Sequence, residues 1–305
     1  MLEKKLALVL GGGGAAGNAW VIGVVAGLAD AGIDLTEAAD LVIGTSSGAT
    51  AAAHVRSGMA PAELLAAILA APVPAAGQHR QGPPPVQMTA VFERLRAIGA
   101  AATSAAELRC AMGAFALESD GQFEPAVAAQ RRAQVAARLP GPEWPLRPMM
   151  VVAVDAQSGE VTAFNRDSGV DLADAITAST ALPGTTPTQG INGRRYINGG
   201  ARSTDNADLA SGYAYILILA PFGGRSGPLP AGQFEGIRRS PEWGTDLESQ
   251  VTALRQEGSH VEVITPDDDS RAAMGVNQMD LATRIPSARA GFAQGRREAR
   301  RLTLP

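Results

Sequence analysis

Ser46 lies at the centre of Gly44-Thr45-Ser46-Ser47-Gly48, a G-x-S-x-G pattern. The apolar run Leu41-Val42-Ile43 precedes it and an alanine-rich helical segment follows it, which is the strand-turn-helix context that this pattern needs to expose a nucleophilic serine. Gly44 and Gly48 avoid side-chain collisions in so tight a turn, and the Ser47 N–H at the helix start can stabilise an oxyanion. The chemistry indicated is attack of a serine on a carbonyl, although a Gly-Ser-rich turn without chemistry has the same letters.

A second glycine-rich segment, Gly11-Gly12-Gly13-Gly14-Ala15-Ala16-Gly17, also joins an apolar run to a helical pattern. Such a run presents several N–H groups to one anion. Gly12, Gly14 and Gly17 have dinucleotide spacing, and Asp34 follows about twenty residues on. A dinucleotide fold needs that acid after its second strand, whereas Asp34 precedes the second apolar run here. The oxyanion of an acyl-transfer intermediate is therefore the anion that the segment favours.

The elements that position these two turns alternate between apolar runs and helical patterns. Strand, turn and helix occur twice in the first fifty-odd residues, which indicates a parallel sheet. Further strands are predicted at 149–154, 160–165, 194–197, 213–219 and 261–264. Helices are predicted at 18–30, 89–139 and 171–180, with a solvated arginine-rich helix at about 284–302 and a Pro- and Gly-rich loop at about 72–88.

The 305 residues have room for a sizeable core, and we predict a single α/β domain over 1–305 with a helical insertion or lid at about 72–145. Apolar residues make up 46% and aromatic residues 4%, which favours helices packed on a sheet. The net charge of −4 gives no indication of a nucleic-acid partner. Cys110 is the single cysteine, which excludes an intramolecular disulfide and a multi-cysteine metal site.

The N-terminal segment resembles the start of a signal peptide, because Lys4 and Lys5 precede the apolar run Leu6–Leu10. Glycines then interrupt that run, and nowhere does an apolar stretch reach the length of a membrane span. The sequence thus predicts a cytoplasmic protein. Peripheral contact with a lipid surface is compatible with this prediction.

In their order along the chain, these motifs resemble those of the patatin-like phospholipases. That family has the glycine-rich loop, then the G-x-S-x-G serine, and finally an Asp-Gly-Gly or Asp-Gly-Ala motif. Here Tyr196-Ile197-Asn198-Gly199-Gly200-Ala201-Arg202 corresponds to the last motif, and 174–183 resembles the segment before it. Val154-Asp155-Ala156-Gln157-Ser158-Gly159-Glu160 is similar to the strand and turn upstream. The resemblance covers Leu6 to about Ala207.

The resemblance implies a three-layer α/β/α fold with a mostly parallel central sheet and a Ser–Asp dyad that uses no histidine. It places the nucleophile at Ser46 and oxyanion donors in the Gly12–Gly14 loop, and it implies no metal or organic cofactor. His54, His79 and His260 lie outside every motif. A Ser-His-Asp hydrolase that uses one of them stays open as an alternative.

Two positions depart from the family pattern. Ala16 stands where the family often has Arg or Lys, and Asn198 stands where the dyad aspartate should be. Because an amide is not a usable base, this form should be inactive or trap its substrate. The chain is then either a non-catalytic relative or a form with a deliberate Asp→Asn change, and the intact glycine turns favour the latter. Asp205 and Asp208 look like helix-start residues and not like replacement bases.

The function predicted from these residues is hydrolysis, or transfer, of an ester- or thioester-linked acyl group of a lipid. The alternative is a binding module that keeps an acyl pocket and has lost turnover. The helical insertion is a candidate lid or acyl-binding wall, although its apolar residues are equally typical of helix core. These residues are Val91, Phe92, Leu95, Leu108, Met112 and Phe115.

Overall fold

The computed structural model describes residues 5–72, 85–223 and 240–304. The strands are β1 (Leu6–Leu10), β2 (Leu41–Thr45), β3 (Met149–Asp155), β4 (Val161–Phe164), β5 (Gln189–Ile191), β6 (Arg194–Asn198), β7 (Tyr215–Leu219) and β8 (His260–Ile264). The helices are α1 (Gly14–Asp30), α2 (Leu35–Ala38), α3 (Ser47–Val55), α4 (Pro61–Ala70), α5 (Pro85–Ala101), α6 (Ala105–Ser119), α7 (Pro125–Ala136), α8 (Leu172–Ser179), α9 (Leu247–Gln256), α10 (Asp268–Met274) and α11 (Arg284–Glu298).

These strands form one sheet in the order β5-β6-β3-β2-β1-β7-β8, with β4 paired to β3 off that path. From β3 to β8 the neighbours are parallel, whereas β4, β5 and β6 enter antiparallel. The two central strands β1 and β2 are buried throughout, as expected for parallel strands covered by helices on both faces. The predicted α/β class with a mostly parallel central sheet is confirmed.

The register of the sheet decides which side chains meet at its edge. Thr45, at the end of β2, is paired with Val152 of β3, and Asn198, at the end of β6, is paired with Ala153 of the same strand. Strands β2 and β6 flank β3 on opposite sides, and Ser46 and Asn198 therefore both lie beside the same stretch of β3, at Val152 and Ala153. β1 ends beside β2, so the glycine segment that starts at Gly11 leaves the sheet next to the serine turn.

Most predicted elements lie within two residues of the observed ones, but the helical regions differ. α1 begins at Gly14, four residues before the predicted start, because the glycine segment itself forms its first turn. The predicted helical stretch 89–139 is divided into α5, α6 and α7. The loop predicted at about 72–88 lies mostly outside the described residues, as does His79.

The prediction of a solvated C-terminal helix is wrong for one face of α11. Its glycines and those of α1 let the two backbones approach so closely that added Cβ atoms would overlap main-chain atoms: a Cβ on Gly27 would lie 2.1 Å from the Phe292 carbonyl oxygen, and one on Gly295 would lie 2.4 Å from that of Val24. Ser287, Ala288, Gly291, Gln294 and Gly295 are buried. Nothing in the sequence indicated this buried face, because its small residues carry no hydrophobic signal and the arginines of the helix suggest exposure.

Candidate active site

Ser46 occupies a strained turn between β2 and α3. Its φ and ψ angles are 57° and −125°, a conformation that a non-glycine residue adopts only when its surroundings enforce it. A Cβ on Gly44 would lie 2.5 Å from the Ala49 Cα, and one on Gly48 would lie 2.0 Å from the Leu10 carbonyl oxygen. The turn is thus closed against α3 and β1, and the serine is held at the first turn of a helix.

Asn198 lies against this serine. Its Nδ2 is 3.0 Å from the Ser46 Oγ, and its Oδ1 is 2.7 Å from the Gly200 N. The side chain is buried, and the Gly200 N–H can only donate, so the amide oxygen must face Gly200 and the amide nitrogen must face the serine. The 3.0 Å separation is within the range over which a base can take a proton.

The direction of this hydrogen bond is the chemical difference between an asparagine and an aspartate at position 198. The Asn198 Nδ2 donates to the Ser46 Oγ, so it occupies a lone pair of the serine and cannot receive its proton. An aspartate in the same place would keep the bond from Gly200 and turn its second oxygen to the serine as an acceptor. The rest of the geometry would not need to change.

The glycine segment lies beside the serine, as predicted, but two of its amides are engaged. A Cβ on Gly12 would lie 3.3 Å from the Ser46 Cβ, so the loop passes directly by the predicted nucleophile. The Gly12 N–H donates to the Thr204 carbonyl oxygen over 2.8 Å. The Gly13 N–H donates to the Ser47 Oγ over 2.9 Å, which ties the two turns together.

Two other N–H groups of the predicted oxyanion hole remain available. In the described part of the chain, neither the Gly14 N–H nor the Ser47 N–H has a hydrogen-bond partner. Gly14 adopts φ +62° at the start of α1, and Ser47 is the first residue of α3. Both amides are thus at helix N-termini, where the helix dipole favours negative charge.

Several residues that hold the site were not foreseen from the sequence. The Ser179 Oγ accepts from the Ser46 N–H over 2.8 Å, and the Asn18 Nδ2 donates to the Ser47 carbonyl over 3.1 Å. Buried Asn206 donates to the Thr45 Oγ1 over 3.0 Å. Hydroxyls and amides spread over the whole chain leave no pattern in the sequence, so no local signal could have identified them.

The two nearby aspartates have different surroundings. Asp208 lies in the first turn of the short 3₁₀ helix Ala207–Ala210 and pairs with Arg202 over 2.9 Å. Asp205 is buried and packs on Gly11, where an added Cβ would lie 2.2 Å from its Oδ1. Its Oδ2 accepts from the Thr204 Oγ1 over 2.7 Å. A buried carboxylate next to the glycine segment was not expected from a residue assigned to a helix start.

The described histidines are engaged elsewhere. The ring of His54 is bonded through Nδ1 to the Thr50 carbonyl over 2.8 Å. His260 lies at the start of β8, packs against the ring of Tyr215 and is 3.4 Å from a Glu262 oxygen. Neither has a hydrogen bond to Ser46 among the described residues, and His79 lies outside them.

The sequence profile of the patatin-like phospholipases matches residues 8–211, two thirds of the chain. The chain belongs to the patatin-like phospholipase family. The match includes both glycine turns, Ser46 and Asn198. Among curated protein sequences, none matches this chain.

Solved structures similar to this chain include VipD and ExoU. VipD from Legionella pneumophila is 14% identical, with a TM-score of 0.37 over 74% of this chain and 51% of VipD. The type III effector ExoU is 15% identical, with a TM-score of 0.35 over 96% of this chain and 54% of ExoU. ExoU from Pseudomonas aeruginosa in complex with SpcU is 16% identical, with a TM-score of 0.34 over 96% of this chain and 53% of ExoU. The chain spans about half the length of these proteins.

Ala16, one of the two predicted departures from the family pattern, is buried, and its N–H donates to the Gln278 carbonyl over 3.0 Å. The segment that contains Gln278 therefore packs against the start of α1. No group of three or more His, Cys, Asp or Glu in the described ranges could hold a metal ion. No helix in the described part of the chain combines the length and hydropathy needed to span a bilayer.

Proposed function

We propose that this chain has the site of a serine acyl hydrolase that cleaves ester- or thioester-linked acyl groups of lipids through Ser46 and the residue at position 198. The observation that carries the proposal is the 3.0 Å contact between the Ser46 Oγ and the side chain of residue 198, on a turn that holds the serine at φ 57°. Membership of the patatin-like phospholipase family supports a lipid as the substrate.

In the proposed reaction, an aspartate at position 198 takes the Ser46 proton as the serine oxygen attacks the acyl carbonyl. The carbonyl oxygen becomes an oxyanion, and the Gly14 and Ser47 N–H groups, which have no partner among the described residues, donate to it. The protonated carboxyl then gives its proton to the leaving group. Water repeats the sequence on the acyl-serine and restores the free enzyme.

With Asn198 in place, we propose that the chain binds acyl substrate and turns it over very slowly. The missing base affects the proton transfer, whereas binding depends on the pocket and on the oxyanion donors. A second function, acyl-lipid binding without catalysis, is favoured by the same amide, because the Asn198 Nδ2 donates to the oxygen that should attack. The cytoplasmic location stays a prediction from the sequence.

A fluorophosphonate probe tests the assignment of the nucleophile, because it forms a covalent bond only with an activated serine. In an Asn198→Asp background we expect one label per chain, located on Ser46 by peptide mass spectrometry. Ser46→Ala should abolish the label and the matched variant Ser47→Ala should keep it. Full labelling of the Ser46→Ala protein would remove Ser46 from the mechanism, and no labelling of the Asn198→Asp protein would favour the binding module.

A further inference from the structure

A cavity of about 650 Å³ lies between the helices α5, α6 and α7 and the segment 184–187 that follows α8. This volume is within the usual range of small-molecule sites. Two of the residues predicted for an acyl-binding wall, Val91 and Phe115, line it. Three others, Leu95, Leu108 and Met112, are instead buried in the core beneath the helices.

The charged groups of this cavity are all positive. Arg94 of α5 and Arg131 of α7 line it, and no Asp or Glu is among the described lining residues. Arg94 is exposed and has no bonded or charged partner in the described part of the chain. Arg131 is partly buried, and among the described residues it bonds to neutral oxygens alone, over 2.9 Å to the Thr177 carbonyl and over 2.7 Å to the Thr180 Oγ1.

Those two bonds use two of the five N–H donors of the Arg131 guanidinium and leave three for a ligand. Burial, and then the charge of Arg138, lowers the pKa of Arg131 to about 10, so the side chain is still a cation at neutral pH. Arg138 also lowers the pKa of Arg284, after burial. Arg94 and Arg131, with no carboxylate among the described lining residues, create a positive potential in the cavity that favours an anion.

Hydrogen bonds to two consecutive residues, Ser179 and Thr180, connect the cavity to the proposed nucleophile Ser46. The Thr180 Oγ1 accepts a hydrogen bond from Arg131, and the Oγ of the preceding residue, Ser179, accepts one from the Ser46 N–H. The Cα atoms of consecutive residues such as Ser179 and Thr180 lie about 3.8 Å apart. The Asn198 N–H donates to the carbonyl of the next residue, Ala181. A wall of the cavity and both members of the proposed dyad are therefore anchored to one short segment, 179–181.

We propose that this cavity binds the anionic headgroup region of an acyl lipid, with Arg131 and Arg94 as the groups that recognise the phosphate. Val91, Phe115, Phe123 and Val127 provide apolar surface for the adjoining hydrocarbon. A zwitterionic headgroup also carries a positive charge, and no Asp or Glu among the described lining residues could pair with that charge. The inference rests on the proposed acyl hydrolysis for its link to a substrate, and it names the headgroup that the site prefers.

Binding to the chain with Asn198, which needs no turnover, tests this inference by isothermal titration calorimetry. The probes are monomeric dihexanoylphosphatidylglycerol, which is anionic, dihexanoylphosphatidylcholine, which is zwitterionic, and inorganic phosphate. We expect the phosphatidylglycerol to bind at least about tenfold more tightly than the phosphatidylcholine, with a preference that weakens as salt is raised. Inorganic phosphate, which lacks the hydrocarbon, should bind more weakly than either.

Substitutions then locate the site. Arg131→Lys keeps the charge but loses the fork of donors, and should lower the affinity for phosphatidylglycerol about tenfold. Arg94→Gln, at an exposed position, should lower it about threefold. Arg96→Gln, on the same helix but outside the cavity lining, is the matched control and should change nothing.

The inference fails if the two lipids bind equally, or if Arg94→Gln and Arg96→Gln have the same effect. Inorganic phosphate as tight as the phosphatidylglycerol would show a site for free anions and overturn the lipid assignment. Because these affinities are measured without catalysis, they test the cavity assignment independently of the proposed function. An Asn198→Asp protein that hydrolyses neutral esters while showing no headgroup preference would refute only the cavity assignment.

Discussion

Asn198→Asp should convert this chain into an esterase by reversing one hydrogen bond. The present amide donates to the Ser46 Oγ over 3.0 Å, whereas a carboxylate of the same shape would accept the serine proton over that distance. Its other oxygen would keep the 2.7 Å bond from the Gly200 N–H, so the new charge would be bonded from two sides. No other atom of the site needs to move.

The expected size of the effect follows from that geometry. A base within hydrogen-bond distance of the proton that it removes contributes about 10²–10⁴ in rate, or about 2.7–5.5 kcal/mol of the activation free energy. An Asp→Asn change in a related serine triad costs about 10⁴ in kcat. We therefore expect kcat to rise by about 10²–10⁴, with little change in KM, since substrate binding does not depend on the proton transfer.

Hydrolysis of p-nitrophenyl butyrate, followed by absorbance under saturating and subsaturating conditions, measures both constants. The double variant Ser46→Ala with Asn198→Asp is the background control, and thermal unfolding checks that the buried carboxylate leaves the fold intact. Equal rates for the asparagine and aspartate forms would refute the reasoning, because the proton would then leave Ser46 by another route.

Three further predictions concern the surrounding structure. In the Asn198→Asp background, Ser47→Pro removes the N–H of a first helical position, where proline is tolerated, and should lower kcat about 10²–10³-fold, whereas Ser47→Ala should retain most of the rate. Gly27→Ala places a methyl group 2.1 Å from a carbonyl oxygen of α11 and should lower the free energy of unfolding by about 1–3 kcal/mol in denaturant titrations, whereas Gly121→Ala, with open space around it, should be neutral. Burial opposes ionisation of Asp155, but bonds from backbone N–H groups and Arg194 leave its pKa below the usual 3.8. Asp155→Asn should therefore lower the free energy of unfolding by about 1–3 kcal/mol at pH 7. Urea titrations at several pH values should show this difference shrinking as pH falls through and below 3.8.

Local patterns were sufficient for the sheet and for the two turns. Apolar runs such as Leu41–Ile43 predict a buried strand because both faces of a parallel strand are covered, and the glycines around Ser46 predict the turn because only they fit it. The family resemblance then added the partner at position 198, which the register of β6 on β3 brings next to the serine.

Long-range contacts could not be predicted in the same way. Ser179 reaches the Ser46 N–H across 133 positions of sequence, and a buried serine has no distinctive pattern. Nor did the sequence indicate which predicted oxyanion donors are already bonded, because Gly12 is bonded to Thr204 through main-chain atoms that every residue possesses. The buried face of α11 was missed because its small residues contribute shape and not hydrophobicity.

The strand β7 gives the family boundary at residue 211 a particular meaning. It lies beyond that boundary, yet it pairs with β1 along the whole of that strand, and Pro221 and Gln278 behind it pack on the glycine loop. The segment that matches the family profile therefore lacks a strand that β1 needs as its neighbour in the sheet. Chimaeras between this chain and its relatives should exchange the last ninety-odd residues together with the first twenty, because β7 pairs with β1, and Pro221 and Gln278 contact the glycine loop.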